Sequence, residues 1–154
     1  MNRFVRKYRA VFHVGFVVLW VRLLLRVKRL PLVLDQLTPG SMPGIAGRSE
    51  MGNLVYYVDR WLRLFPYNTK GNCFPRSLAI YWFARRLGYP VVFHCGVKKD
   101  VASLDGHAWL TLDHLPFHES DQHWQGYTVT FSYPQKVLRR DPPIRRRSNE
   151  TKAS

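Results

Sequence analysis

The chain has 154 residues, which is enough for one domain with one hydrophobic core. Hydrophobic residues make up 46% of it and aromatic residues 14%, so the composition excludes a chain that is disordered throughout. The formal net charge of +14 favours anionic partners, which include nucleic acid, acidic peptides and anionic membrane surfaces.

The N-terminal segment, residues 1–38, is predicted to be helical with a break near Pro31. Twelve uncharged residues precede Arg22, fewer than the roughly 20 that a bilayer span requires, and no small-residue cleavage site follows them. We therefore predict neither a membrane span nor a signal peptide. Arg22, Arg26 and Arg29 recur at helical spacing and predict one basic stripe on an apolar helix. We expect this helix to pack on its own domain, with a partner protein or a membrane interface as the alternatives.

Composition divides the chain into three regions. Residues 1–50 form a basic, apolar helical region and a linker, of which 39–50 are rich in Pro, Gly and Ser. Residues 51–135 carry the densest pattern and are predicted to be the catalytic core. Residues 136–154 form a basic tail that is predicted to be disordered.

The core pattern predicts helices followed by a small meander of strands, which indicates an α+β fold with the helices on one side of an antiparallel sheet. Residues 98–106 are predicted to be a loop, and Asp113 and His114 a turn. The predicted helices are Leu54–Phe65 and Cys73–Leu87, and the predicted strands are Val91–Val97, His107–Leu112, Leu115–Glu119 and Tyr127–Phe131.

The two cysteines are Cys73 and Cys95, and no Cys-x-x-Cys pair exists, which argues against a structural zinc site and a thioredoxin-type motif. We interpret both as reduced thiols of a cytoplasmic protein. Cys73 stands where a Gly-Asn loop enters a helix. There, unpaired amide groups and the helix dipole favour the thiolate, which is the nucleophilic form. The alternative is a small buried hydrophobic residue, as Cys95 is interpreted to be.

His107 begins a strand 34 residues after Cys73. A cysteine at a helix start, a histidine on a neighbouring strand and then an acid resemble the arrangement of papain-like and transglutaminase-like enzymes. Cys73 is therefore the predicted nucleophile and His107 the predicted base.

The third catalytic residue must orient the imidazole. Asp113 lies six residues along the strand from His107, roughly 20 Å away and out of reach. A hairpin brings the following residues back, and Glu119 is the predicted acid. A three-residue turn would place Glu119 opposite Trp109, on the face of His107, whereas a two-residue turn would favour Ser120 instead.

Other polar residues receive alternative or structural interpretations. Asp121 is the alternative acid, and Asp105 is interpreted as a turn cap. The Cys73 amide is the simplest oxyanion donor, with the Asn72 and Trp109 side chains as further candidates. No metal and no cofactor are predicted, because the remaining histidines match no compact ligand spacing; these are His94, His114, His118 and His123.

Residues 71–100 and 106–119 resemble the standalone transglutaminase-like leader peptidase of lasso-peptide biosynthesis. One departure is Glu119, because the acid of that family is commonly Asp. The positions that carry the resemblance are Cys73, Pro75, Arg76, Ser77, Leu78, Gly96, Val97, Lys99, His107, Ala108, Trp109 and Glu119.

The resemblance implies a cysteine protease that removes the leader from a ribosomally made precursor and frees the amine for an ATP-dependent lasso cyclase. A separate leader-binding protein would present the substrate, and the basic N-terminal region would contact this protein, the cyclase or a membrane. Two rival functions are an acyl transferase using the same residues and a basic, non-enzymatic module for nucleic acid or membrane. No nucleic-acid motif is recognisable, so no nucleic-acid partner is expected.

Overall fold

A computed structural model describes residues 3–40, 48–65, 71–99, 103–119 and 124–134. Within these ranges, helices come first in the chain and strands second, which confirms the predicted α+β class. The predicted tail, 136–154, lies outside the described residues. The helices are α1 (Arg3–Val27), α2 (Leu30–Leu37), α3 (Arg48–Leu62) and α4 (Cys73–Arg86), and the strands are β1 (Val92–Lys99), β2 (Leu104–Leu112), β3 (Leu115–Pro116) and β4 (Thr128–Tyr133).

The strands form an antiparallel sheet in the order β3-β2-β1-β4. Strands β2 and β3 are joined by a two-residue turn, in which Asp113 and His114 both have positive φ. Two consecutive left-handed residues match the right-handed twist of the flanking strands. The register between β1 and β2 places Gly96 opposite His107 and His94 opposite Trp109, so these four residues lie on one face.

Several predicted strand boundaries are wrong. Strand β1 continues to Lys99 and β2 begins at Leu104, so most of the predicted loop 98–106 is sheet. Lys98 pairs directly with Asp105, and opposite charges across an antiparallel pair stabilise strands whose composition is polar. Strand β3 stops at Pro116, well short of Glu119; Pro116 has no N–H with which to extend the ladder.

Helix α1 packs on its own domain, as predicted. Its inner face contacts α3 and α4 and contributes to the central apolar cluster. The same cluster includes residues of α2 and of the sheet, so the helices before residue 50 and the predicted catalytic core share one interior. The predicted domain division itself stays a prediction. The buried residues of α1 are Val14, Val17, Val18, Val21 and Leu24.

The predicted basic stripe of α1 is only partly correct. The helix ends at Val27, and Arg29 precedes α2, whose first turn contains Pro31. Arg22 does not point freely into solvent. Its guanidinium lies 4.5 Å from the ring centroid of Phe65 and donates a hydrogen bond to the side-chain oxygen of Asn72.

Gly15 allows α1 to approach α3 closely. The indole N–H of Trp61 donates to the carbonyl of Val11 at 2.9 Å, and a Cβ on Gly15 would lie 2.4 Å from the indole ring. Gly52, which lies on the exposed side of α3, has open space around it.

We expect Gly15→Ala and Gly52→Ala to change stability in opposite directions. Replacing a helical glycine by alanine normally raises the free energy of unfolding by about 0.5–1 kcal/mol. We therefore expect Gly52→Ala to raise the melting temperature. At Gly15 the clash with Trp61 should outweigh that gain and lower the free energy of unfolding by about 1–3 kcal/mol. Thermal and denaturant unfolding of both variants measure this. Equal stabilisation by the two substitutions would contradict the packing of α1 on Trp61.

Candidate functional site

Helix α4 begins at Cys73 without the usual side-chain cap. Asn72 occupies the N-cap position but makes no capping hydrogen bond. Its side-chain oxygen accepts a bond from Arg22 at 3.2 Å, and its amide nitrogen donates to the carbonyl of Leu62 at 3.4 Å. Asn72 therefore links α1, α3 and α4. The first-turn amides of α4 receive no bond from it and remain available for a negative charge.

The Cys73 thiol is half-buried between α4 and β2, and its sulfur lies 4.0 Å from the carbonyl oxygen of Gly106. Burial raises the pKa of this thiol above its ordinary value, and the charge of Asp105 acts in the same direction. The backbone amides of Ala108, Phe74 and Cys73 itself act against this rise, because they hydrogen-bond to the sulfur and favour the thiolate.

Cys73 lies along the part of the β2 edge with which, among the described residues, no strand pairs. Where the chain returns along this edge, the Phe117 amide donates to the carbonyl of Leu110. Alternate residues of a strand present their backbone groups to the same side, so Gly106 and Ala108 present theirs toward α4. Ser77, one helical turn after Cys73, donates to the Ala108 carbonyl at 2.9 Å. The helix thus takes the place of a partner strand.

The structure places the thiol of one predicted catalytic residue, Cys73, against the strand that carries the other, His107. Gly106 and Ala108, whose backbones contact the thiol, are the residues on either side of His107. The His107 ring stacks on Trp109, with centroids 5.9 Å apart and planes 13° apart, and lies 5.3 Å from the ring of Tyr127. Trp109, proposed from sequence as a donor to the substrate, is 3% exposed and packs against the imidazole.

Tyr127 was missed by the sequence analysis. It lies just before β4, and its hydroxyl donates to the carboxylate of Asp105. It reaches His107 because Gly96 has no side chain. A Cβ there would lie 2.6 Å from the carbonyl oxygen of Thr128, and β1 is irregular against β4 at this point. A glycine inside a strand often marks a bulge or a close approach, and Gly96 was the signal available.

Asp105 was predicted to cap a turn, and this is wrong. It lies within β2, two residues before His107 and therefore on the same face. Its charge acts on both Cys73 and Tyr127, so this carboxylate lies near the predicted nucleophile. Its bond raises the pKa of Tyr127 to about 12.

Glu119 is in a different environment from the one predicted. The turn before it has two residues rather than three, and β3 ends before reaching it. Its carboxylate lies 3.4 Å from the guanidinium of Arg76 and accepts a bond from the backbone of Leu110. Its role as the catalytic acid stays a prediction. Ser120 and Asp121, the alternatives, lie outside the described residues.

Burial raises the pKa of Glu119 to about 7. Arg76 lowers it only partly, because Arg76 makes its closer contact, 2.7 Å, with Asp59, whose own charge opposes ionisation of Glu119. Arg76 also donates to the carbonyl of His118 at 2.9 Å.

The other candidate ligands are engaged in ordinary contacts. His94 lies 2.8 Å from both Ser132 and Thr111, and burial lowers the pKa of its imidazole. Cys95 lies 3.9 Å from the Thr130 hydroxyl, and both cysteines are free. In the part of the chain that the structure describes, no three His, Cys, Asp or Glu side chains group as a metal site. His123 lies outside it.

One family model matches a region of the chain that contains both helices and sheet. A family model described as "Transglutaminase-like superfamily" matches residues 13–132, which include most of α1 and all of the site described above. No curated protein and no solved structure matches the chain.

We expect Glu119→Gln to gain stability over the parent protein as the pH rises. A carboxyl group whose pKa is raised from 4.5 to about 7 binds more protons when folded, so its contribution to stability is lost as pH rises through that range. Between about pH 5 and pH 8, the free energy of unfolding of the variant minus that of the parent protein should rise by about 1–3 kcal/mol. Denaturant unfolding across pH measures this. Glu50→Gln, at an exposed position, controls for the lost charge. If the stability of Glu119→Gln relative to the parent protein instead fell as the pH rose, the ion pair with Arg76 would outweigh burial and favour the ionised carboxylate.

Proposed function

The chain belongs to the transglutaminase-like superfamily, and on this premise we propose that it is a cysteine peptidase that removes the leader from a ribosomally made lasso-peptide precursor. Membership suggests a Cys-His enzyme of the protease or acyltransferase type. The proposal narrows this to hydrolysis of one peptide bond in a precursor peptide.

One observation carries the enzymatic part of the proposal. The Cys73 thiol lies at an uncapped helix N-terminus and contacts the backbone on both sides of His107. A structural cysteine would need neither the free amides nor the neighbouring imidazole. The combination is what a thiol nucleophile and its base require.

In the proposed reaction, His107 takes the thiol proton, and the Cys73 sulfur attacks the carbonyl carbon of the scissile bond. The amide of Cys73, at the start of α4, donates to the developing oxyanion. The C–N bond then breaks as the imidazolium gives its proton to the leaving amine, which is the N-terminus of the core peptide. Water, deprotonated by His107, hydrolyses the thioester and releases the leader as a carboxylic acid.

Burial of the thiol explains why a base is needed. Because burial raises the pKa of the Cys73 thiol above its ordinary value, this thiol would be mostly protonated at neutral pH if no base took its proton. Proton transfer to His107 would supply the thiolate when substrate is bound, and the surrounding amides would stabilise it.

The substrate assignment rests on resemblance. The segment from Cys73 to Leu78 and the segment from His107 to Glu119 are similar to those of lasso leader peptidases in residue type, order and spacing. A leader-binding protein and an ATP-dependent cyclase are the proposed partners, in the cytoplasm. No cofactor is needed for this chemistry.

Cys73→Ala and His107→Ala should each reduce leader release by at least about 10³-fold, because nucleophile and base act as one unit. The measurement is co-expression with the precursor, the leader-binding protein and the cyclase, followed by mass spectrometry. Cys95→Ala, which removes the other thiol, is the matched control and should retain activity. Undiminished cleavage by a folded Cys73→Ala protein would refute the mechanism. A product mass showing the leader joined to an amine would indicate acyl transfer instead.

Substitution of Glu119 and of Asp105 tests which of these carboxylates orients His107. Glu119 is the proposed acid, so Glu119→Gln should lower the rate by about 10²–10⁴-fold. Glu119→Asp, which introduces the acid common in the resembling family, should retain most of the activity. Asp105→Asn is the matched control and should stay within about tenfold of the parent. A large loss with Asp105→Asn and a small one with Glu119→Gln would transfer the role to Asp105.

A further inference from the structure

Helix α1 carries an apolar stripe on the face opposite its packed side. Its members are three or four residues apart, which places them along one side of the helix for its full length of about 37 Å. Each is at least 49% exposed, although large apolar side chains normally lie inside. The stripe consists of Phe4, Tyr8, Phe12, Phe16, Leu19, Leu23 and Val27.

Several of the other exposed residues of α1 are basic. Arg6, Lys7, Arg9 and Arg26 are all exposed, and the helix contains no Asp or Glu. An apolar stripe with aromatic residues and basic flanks is typical of helices that lie in the headgroup region of an anionic bilayer.

We propose that α1 binds the surface of an anionic membrane through this stripe, with the helix axis parallel to the bilayer plane. The apolar side chains would enter the boundary between headgroups and acyl chains, and the flanking arginines and lysine would contact lipid phosphates. This binding would hold the domain at the inner face of the membrane. The inference does not depend on the proposed peptidase activity.

Packing of the other face argues against a membrane-spanning helix. By length and composition Phe4–Val27 could cross a bilayer, but a third of its most apolar window is buried inside the domain. Val14, Val18 and Val21 are fully buried, and Gly15 is in close contact with Trp61. Withdrawing α1 into lipid would expose the apolar surfaces of α3 and α4 to water, so an orientation along the surface fits better.

Charge argues against a second copy of the chain as the occupant of the stripe. Pairing two α1 helices face to face would bring their basic flanks together, and neither helix has a carboxylate to offset them. A protein partner would need an apolar groove of the same length with acidic edges. An anionic bilayer supplies an apolar interior and a negative surface along any direction.

The test is co-sedimentation of the full chain with vesicles. Phosphatidylcholine vesicles that contain about one third phosphatidylserine should bind the protein, and pure phosphatidylcholine should bind it at least about tenfold more weakly. Binding to the anionic vesicles should also weaken as salt is added. Deletion of α1 is unsuitable as a test, because it would remove part of the core.

Surface substitutions separate the two parts of the stripe's chemistry. Phe12→Gln combined with Phe16→Gln should weaken vesicle binding by at least about tenfold. Lys7→Gln combined with Arg9→Gln should weaken it by about tenfold and reduce the salt dependence. Leu104→Gln combined with Leu115→Gln is the matched control, since both leucines are 69% exposed on the sheet; its binding should stay within about twofold.

Three results would overturn the proposal. The first is binding that is equally strong to neutral and anionic vesicles and that neither pair of α1 substitutions changes. The second is an absence of vesicle binding combined with formation of a protein complex, either a dimer or a complex with the leader-binding protein or the cyclase. If Phe12→Gln and Phe16→Gln disrupt that complex, the stripe is a protein interface. The third is vesicle-bound protein that resists an alkaline carbonate wash, which would indicate a spanning helix.

Discussion

The open edge of β2 is the constraint on which the site depends. Among the described residues, β3 pairs with two residues of β2, and no strand pairs with Gly106 and Ala108 on that edge; the Leu110 carbonyl there accepts a bond from the Phe117 amide. Unpaired backbone groups in a buried position cost about as much as a lost hydrogen bond. Side chains supply the missing partners: Glu119 at Leu110, Ser77 at the Ala108 carbonyl, and Cys73 between Ala108 and Gly106. These contacts of Cys73 and Ser77 hold the start of α4 against the strand that carries His107.

The start of α4 is connected to α1 as well as to the sheet. Asparagine at an N-cap usually accepts a bond from the helix's own amides, but Asn72 accepts one from Arg22 of α1. The substitution of partners has two effects. It leaves the first-turn amides available to stabilise negative charge at Cys73, and it links the residue before the proposed nucleophile to the N-terminal helix. A helix that is basic and apolar by composition is therefore part of the support of the site.

Local patterns predicted the elements of the site, whereas contacts between distant segments decided its details. A Gly-Asn loop and an early proline indicated a helix starting at Cys73, and the alternation after His107 indicated a strand. The acid required a turn length that local sequence does not determine, and the turn has two residues rather than three. The approach of Tyr127 to His107 depends on an irregular pairing next to Gly96. Register and bulges arise from packing of the whole sheet, so the sequence carried only the glycine as a sign.

Most residues of the segment from Cys73 to Leu78 have a structural role. Pro75 lies in the first turn of α4, where its missing N–H would have no helical partner in any case. Arg76 holds Asp59 and Glu119, Ser77 binds the β2 backbone, and Leu78 is fully buried in the core. This short helical segment therefore positions the proposed nucleophile, attaches it to the strand of the proposed base and binds the proposed acid. Because these contacts share one helix, a change that rotates α4 would disturb the contacts of Cys73, Ser77 and Arg76 together.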